Sequence, residues 1–282
     1  MTASVIRPLA LLLLLLALLA APPLACCEER AGARLHARSA ESSPEDLLRV
    51  KIGREFDGVV SGVDAFFGHS ARHPVLIQVL SPPEFEQATR APGWATALFQ
   101  GGSIYITSGA PLLRQEDEFR RTLRHEYTHA IVASLTRGKC PAWLDEGLAQ
   151  ALEGPPTEQL QGMLQKLSWR RPRYHLADLG PGFTRLSHGD AAWAYAESYL
   201  AVKSLLKRSG RRPLLDLLRA LGRGESPDSA LQRVFKLSLA DLDEKMRQEL
   251  HAMRKEAPAA RWRSAPRTAS GALGQSVRAR LK

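Results

Sequence analysis

Residues 125–129 read His-Glu-Tyr-Thr-His. Two histidines four positions apart stand one above the other on a helix face, near enough for both imidazoles to reach one ion. Glu126 follows the first histidine directly and is turned about 100° around a helix, so its carboxylate is placed to act on a water rather than to ligate. Three fixed residues in five also arise by chance, and an exposed His-Glu pair on a surface helix is the competing reading of these residues alone.

A catalytic zinc site takes three protein ligands and keeps one position open. Sixteen residues separate His129 from Glu146, which lies in Cys140-Pro-Ala-Trp-Leu-Asp-Glu-Gly-Leu-Ala-Gln150. On a helix, Leu144, Leu148 and Leu152 form a core stripe, while Ala142, Glu146 and Ala149 fall on a different face. The small alanines there, and Gly147 without a β-carbon, are expected to let this helix approach the histidine helix closely. His125, His129 and Glu146 are therefore the expected Zn2+ ligands, with Glu126 as general base. Asp145 either orients a histidine or is a surface acid. Cys140 is either a redox-sensitive ligand or a small buried residue beside Pro141. His69, His73 and His175 have no metal spacing to one another.

The pairing of His-Glu-Tyr-Thr-His with Trp-Leu-Asp-Glu-Gly-Leu-Ala resembles the gluzincin metallopeptidases, in particular the peptidase MA-like proteins. A short strand, a Gly-rich edge strand, the histidine helix, the Pro-x-Trp-Leu helix and a helical tail extend the resemblance over roughly residues 45–255. It implies the same three ligands and the same base. The Trp-Leu-x-Glu-Gly pattern also occurs in zinc aminopeptidases of the thermolysin-like clan, but the spacer before Glu146 is shorter here. Their Gly-x-Met-Glu-Asn anchor for a substrate amino terminus is replaced by Gly101-Gly-Ser-Ile-Tyr-Ile-Thr107. An endopeptidase acting on peptides or proteins is the resulting expectation. The resemblance further implies a Tyr or His oxyanion donor from the helices after Glu146. Tyr195 is the candidate and His188 the second, although Tyr195, Tyr199, Val202 and Leu206 also make a regular core stripe. The strand 103–107 is expected to border the cleft and pair with an extended substrate, with plain strand packing as the alternative.

The elements that must hold these residues can be read from periodicity and punctuation. Ser43-Pro44-Glu45 opens a helix to about Phe67. Residues 74–80 read as a buried strand, 82–89 as a short helix, and 94–107 as two strand-like pieces around Gly101-Gly102. Helices are then expected over 116–135, 141–152, 158–167, 190–207, 212–221, 226–235 and 239–254. The fold class is α+β and zincin-like: a small N-terminal mixed sheet with the active-site helix, then a mostly helical C-terminal half. The expected divisions are a signal segment over 1–27, a linker over 28–43, the metallopeptidase domain over 44–256, and a basic disordered tail over 257–282.

Arg7 and the apolar run 9–21, broken by Pro22-Pro23, are too short for a membrane span and fit a signal peptide. Cys26 after Leu24-Ala25 admits lipidation and a membrane tether; otherwise cleavage falls after a small residue such as Ala25 or Ala33. Either way, export is expected. With Cys26 and Cys27 at the signal junction, Cys140 is the one thiol left, so no internal disulfide can form. The formal charge of +10 includes six basic residues and no acid from Arg261 onward. No nucleic-acid-binding motif accompanies that charge, and no nucleic-acid partner is expected. The chain is expected to act as a monomer. The other function class that fits is a catalytically inactive zincin-like binding protein at the cell envelope, against which the retained Glu126 argues.

Overall fold

The computed structural model describes residues 43–71, 74–91, 93, 95–109, 116–170, 172–180, 182–183 and 186–256. The readings of the signal segment, of Cys26 and Cys27, of the linker before Ser43, of His73 and of the tail from 257 lie outside these residues.

The first helix, α1 (Pro44–Phe67), begins where Ser43 and Asp46 cap each other reciprocally and ends at Gly68, whose φ of 58° suits a residue without a β-carbon. Its Leu48, Ile52, Phe56, Val59, Val63 and Phe67 recur every three or four residues and are all buried. Strand β1 (Leu76–Leu80), helix α2 (Pro82–Thr89), β2 (Ala97–Gln100) and β3 (Ser103–Thr107) follow. The sheet order is β1-β3-β2, with β1 parallel and β2 antiparallel to β3. β1 starts two residues later than its apolar run because β3 offers pairing only from Leu76↔Ser103 to Leu80↔Thr107.

The central strand is therefore β3, with a partner on each side, and this corrects the expectation that residues 103–107 face a substrate. A strand paired on both edges has no backbone groups left for a further chain. The outer strands β1 and β2 each have an edge with no strand partner among the described residues, and that of β2 faces Glu126.

The helical half comprises α3 (Glu116–Thr136), α4 (Ala142–Leu152), α5 (Glu158–Ser168), α6 (His188–Ser209), α7 (Arg211–Gly222), α8 (Pro227–Phe235) and α9 (Leu239–Glu256). α6 begins two residues earlier than its periodicity suggests because Ser187 accepts from Asp190 N and so serves as its cap. One hydrophobic cluster joins both halves, from Leu48 and Ile104 through Trp143 and Leu144 to Leu218 and Leu250. α4 packs chiefly on α6, and Gly147 sits at that crossing. A β-carbon there would lie 2.3 Å from Ser198 O and 2.6 Å from Val202 Cγ2. The glycine thus admits α6, not the histidine helix as its sequence position suggested.

Candidate metal centre

His125 and His129 stand one turn apart on α3, and Glu146 reaches them from α4. One ligand atom from each lies within 4.8 Å of the others. Glu146 Oε2 is 3.5 Å from His125 Nε2 and 3.6 Å from His129 Nε2. It is buried and accepts no hydrogen bond. An orphaned carboxylate oxygen beside two imidazole nitrogens is costly without a cation. Tetrahedral zinc with bonds near 2.1 Å separates its ligands by about 3.4 Å, and the two carboxylate–imidazole spacings fit that value. Two nitrogens and one carboxylate oxygen suit zinc by donor type.

The other ring nitrogen of each histidine is also held. His129 Nδ1 is 2.9 Å from Asp145 Oδ1, which resolves the two readings of Asp145 in favour of an orienting role. His125 Nδ1 is 2.9 Å from Glu153 Oε2. The sequence reading missed Glu153, although it lies seven residues, two helical turns, beyond Glu146 and so on nearly the same side of α4. Its other oxygen takes a bond from Arg121 NH2 at 2.5 Å, and Arg121 NH1 donates to Pro155 O at 2.6 Å. Glu153, Gly154 and Pro155 therefore wrap around the guanidinium. Arg121 and His125, at i and i+4 on α3, share one carboxylate.

Without an ion the site is a network of coupled charges. Burial works against protonation of His125, but the neighbouring carboxylates of Glu146 and Glu153 outweigh it and hold its pKa well above the ordinary value. Burial likewise opposes His129, yet Asp145 and Glu146 push it up to about 9. Burial raises Glu146, and the two histidines more than reverse that, leaving its carboxyl below its usual value. Glu126 goes the other way: burial lifts its pKa above the usual carboxylate value against the pull of His125 and His129.

Glu126 Oε2 accepts the backbone N–H of Phe99 at 2.7 Å. The pairing explains this contact. Thr107 N donates to Thr96 O, so the residues of β2 that bond to β3 are even-numbered, and the N–H groups of Ala97 and Phe99 point to the open edge. No side-chain pattern announces such a contact, since its donor is main chain.

A cleft of about 360 Å³ lies over these groups, between the start of β2, α3, α5 and α6, and both Glu126 and Tyr195 line it. Tyr195 is half-buried, with its ring edge-on to Phe183 at 5.1 Å between centroids. Burial, then the charges of Glu146 and Glu126, raise its pKa, so the phenol keeps its proton. Tyr199 and Val202 of the same stripe are buried in the core instead. The side chain of His188 lies outside what is described. Cys140 is partly buried against the core and is not in the ligand group. Burial, then Asp145, raises its thiol well above the usual value. His69 bonds Ser134 Oγ and His175 bonds Asp243, so neither joins the site.

The helix that carries Glu146 is itself fixed from outside. α4 has no side-chain cap; Ala142 N and Trp143 N donate to Gly180 O and Leu179 O of the connection between α5 and α6. That connection is strapped at its start by Glu197, which accepts from Arg173 N and Tyr174 N, and by Asp243, which accepts from Leu176 N.

Comparison with known families gives one match. The family model of the peptidase MA superfamily matches residues 101–252, just over half of the chain, from β3 to the last helix. No curated protein and no solved structure matches the chain.

Proposed function

The chain belongs to the peptidase MA superfamily, and from that premise we propose that it is a zinc-dependent endopeptidase of the gluzincin type. His125, His129 and Glu146 are its metal ligands and Glu126 its general base. The observation that carries this reading is the buried, unpartnered Glu146 Oε2 between two imidazole nitrogens, beside a cleft that Glu126 lines.

Bound zinc would supply Lewis acidity, polarising the scissile carbonyl and bringing the pKa of water towards neutrality. Glu126 takes the proton of the attacking water through the oxygen that Phe99 leaves open, then passes it to the leaving nitrogen. Its raised pKa suits a group that must hold a proton between those two steps. Phe99 N–H fixes the carboxylate's orientation, and Asp145 and Glu153 fix the two imidazoles. Tyr195, protonated and on the cleft, donates to the developing oxyanion. The open edge of β2 at Ala97 lets an extended peptide add as a further strand. The absence of an amino-terminus anchor in residues 101–107 favours cleavage within chains.

Metal content measured by elemental mass spectrometry tests the site. About one zinc per chain is expected, with sharp loss in Glu146→Ala and retention in Glu126→Gln. Peptide cleavage by the wild type and none by Glu126→Gln would support turnover. A well-folded wild type that takes up no zinc would overturn the reading. Export forms a further part of the proposal, on the strength of Arg7 and the apolar run 9–21. Mass spectrometry of the chain from an exporting host should show loss of the N-terminal segment, with a lipid on Cys26 if it is the anchor. An intact, cytoplasmic chain would contradict export.

A further inference from the structure

The cleft beside the metal centre is acidic in a chain whose formal charge is +10. Glu118, Glu126 and Glu153 line it against one arginine, Arg121. That arginine is committed within the protein, to Glu153 and to the Pro155 carbonyl. Glu118 has no ion-pair partner among the described residues. It precedes His125 by seven residues on α3, about 10 Å along the helix axis.

The hydrogen-bonding groups lean the same way. Gln150 lines the cleft and is 8% exposed. Its Nε2 donates to Tyr195 O at 3.1 Å, while its carbonyl oxygen accepts from no described residue. The Thr122 hydroxyl, another lining group, already donates to Glu118 O. Apart from the Tyr195 hydroxyl and the Ala97 N–H given to the reaction above, the Glu118 carboxylate and the Gln150 carbonyl are left to accept from a ligand, beside the apolar flank of Leu160 and Met163. A group that meets all of this has an aliphatic stem and a cationic head rich in donors.

We propose that this cleft selects a lysine or arginine side chain next to the scissile bond. Glu118 and the Gln150 carbonyl receive its charged head, and Leu160 and Met163 lie along its stem. The inference rests on the peptidase reading and names the substrate class for the same site. An acidic side chain in that position meets the like charge of Glu118, with Arg121 already held by Glu153. The surrounding negative potential also favours the approach of basic segments, and salt weakens that effect.

The test compares matched fluorogenic peptides that differ only at the residue flanking the scissile bond, carrying lysine, arginine, leucine or glutamate. The zinc-loaded protein should cleave the basic peptides with a kcat/KM roughly tenfold above the glutamate peptide at low salt, with a smaller ratio at high salt. Glu118→Lys should lower that ratio by roughly fivefold or more, and Glu118→Gln by less, as expected for a partly solvated charge pair. The same labelled peptides, followed by fluorescence anisotropy on metal-free wild type and on both variants, give a readout that needs no turnover. Absence of zinc and of cleavage would sink the peptidase reading alone, since the anisotropy ranking still decides the charge preference. Equal binding of basic and acidic peptides, or a preference unchanged by both Glu118 variants, would overturn the inference.

Discussion

At the scale of single residues, the centre depends on the groups behind its ligands as much as on the ligands. His125 offers Nε2 to an ion in the tautomer that carries its proton on Nδ1, and Glu153 favours that tautomer by accepting from Nδ1. Glu153→Ala removes that partner and also leaves Arg121 with a half-buried, uncompensated charge. Zinc affinity should fall by roughly 10- to 100-fold, read by competition with a chelator of known affinity. Glu153→Gln, which keeps an acceptor for His125 but not the charge for Arg121, should fall between. Equal affinity in all three proteins would remove Glu153 from the site. That His125, His129 and Glu146 come together was legible in the sequence, the histidines from helical i, i+4 spacing and Glu146 from the Trp-Leu-Asp-Glu-Gly segment. Glu153 was harder to read, because its role depends on where α4 ends and on the chain reversal at Gly154, whose φ is 140°. The Phe99 contact to Glu126 left no trace, since a backbone N–H is present at every residue and only strand register decides which way it points.

At the scale of elements, the ligand helix α4 is held by two fixed surfaces, its crossing with α6 and the connection that caps its first turn. Gly147→Ala places a β-carbon 2.3 Å from Ser198 O, a backbone atom that cannot swing aside. The helices must separate, at a cost of about 1–3 kcal/mol, and Glu146 moves with them. A lowered Tm together with weakened zinc binding is expected. A lowered Tm with unchanged affinity would show that α4 shifts without disturbing the site. The cap is governed by Glu197, fully buried, whose pKa burial pushes up to about 7 against the two amides it accepts from. A carboxyl with a raised folded pKa binds its proton more tightly when folded. The stabilisation is full below the unfolded value near 4.5 and is lost as pH rises through about 7. Glu197→Gln has no charge to bury, so its Tm relative to wild type should improve from pH 5 to pH 8, by the equivalent of about 3 kcal/mol at most. A difference independent of pH would contradict this. Element positions were largely legible, because apolar periodicity and Ser, Pro and Gly punctuation mark helices directly. Which strand is central was not: Ser103–Thr107 alternates as an edge strand would, and its two neighbours are set by chain direction rather than by its own residues.

At the scale of the whole molecule, a bound metal would close a link between α3 and α4 that no disulfide among the described residues supplies. The sequence has one cysteine after Cys27, and one hydrophobic cluster carries the domain. Zinc held by α3 and α4 would join the two helices on which that cluster converges, so its removal should be felt as global stability. With free zinc near a thousand times its dissociation constant, binding adds about 4 kcal/mol. In a domain of this size that corresponds to a Tm gain of roughly 8–16 °C over the chelated protein. Glu146→Ala should show little of the gain. The pH dependence has a definite sign. In the metal-free protein His129 is pushed up to about 9, so its contribution is full below the ordinary value of 6.5 and is lost as pH rises through 9. Zinc needs that imidazole neutral, so binding below pH 9 must displace a proton, and affinity falls as pH drops. The Tm difference between zinc-loaded and metal-free protein should therefore widen from pH 6 to pH 9, because the chelated form loses stability over that range while the loaded form, whose His129 carries no proton, changes little above the ordinary value of 6.5. A gap that stays constant or narrows over that range would mean that His129 does not exchange its proton for the metal.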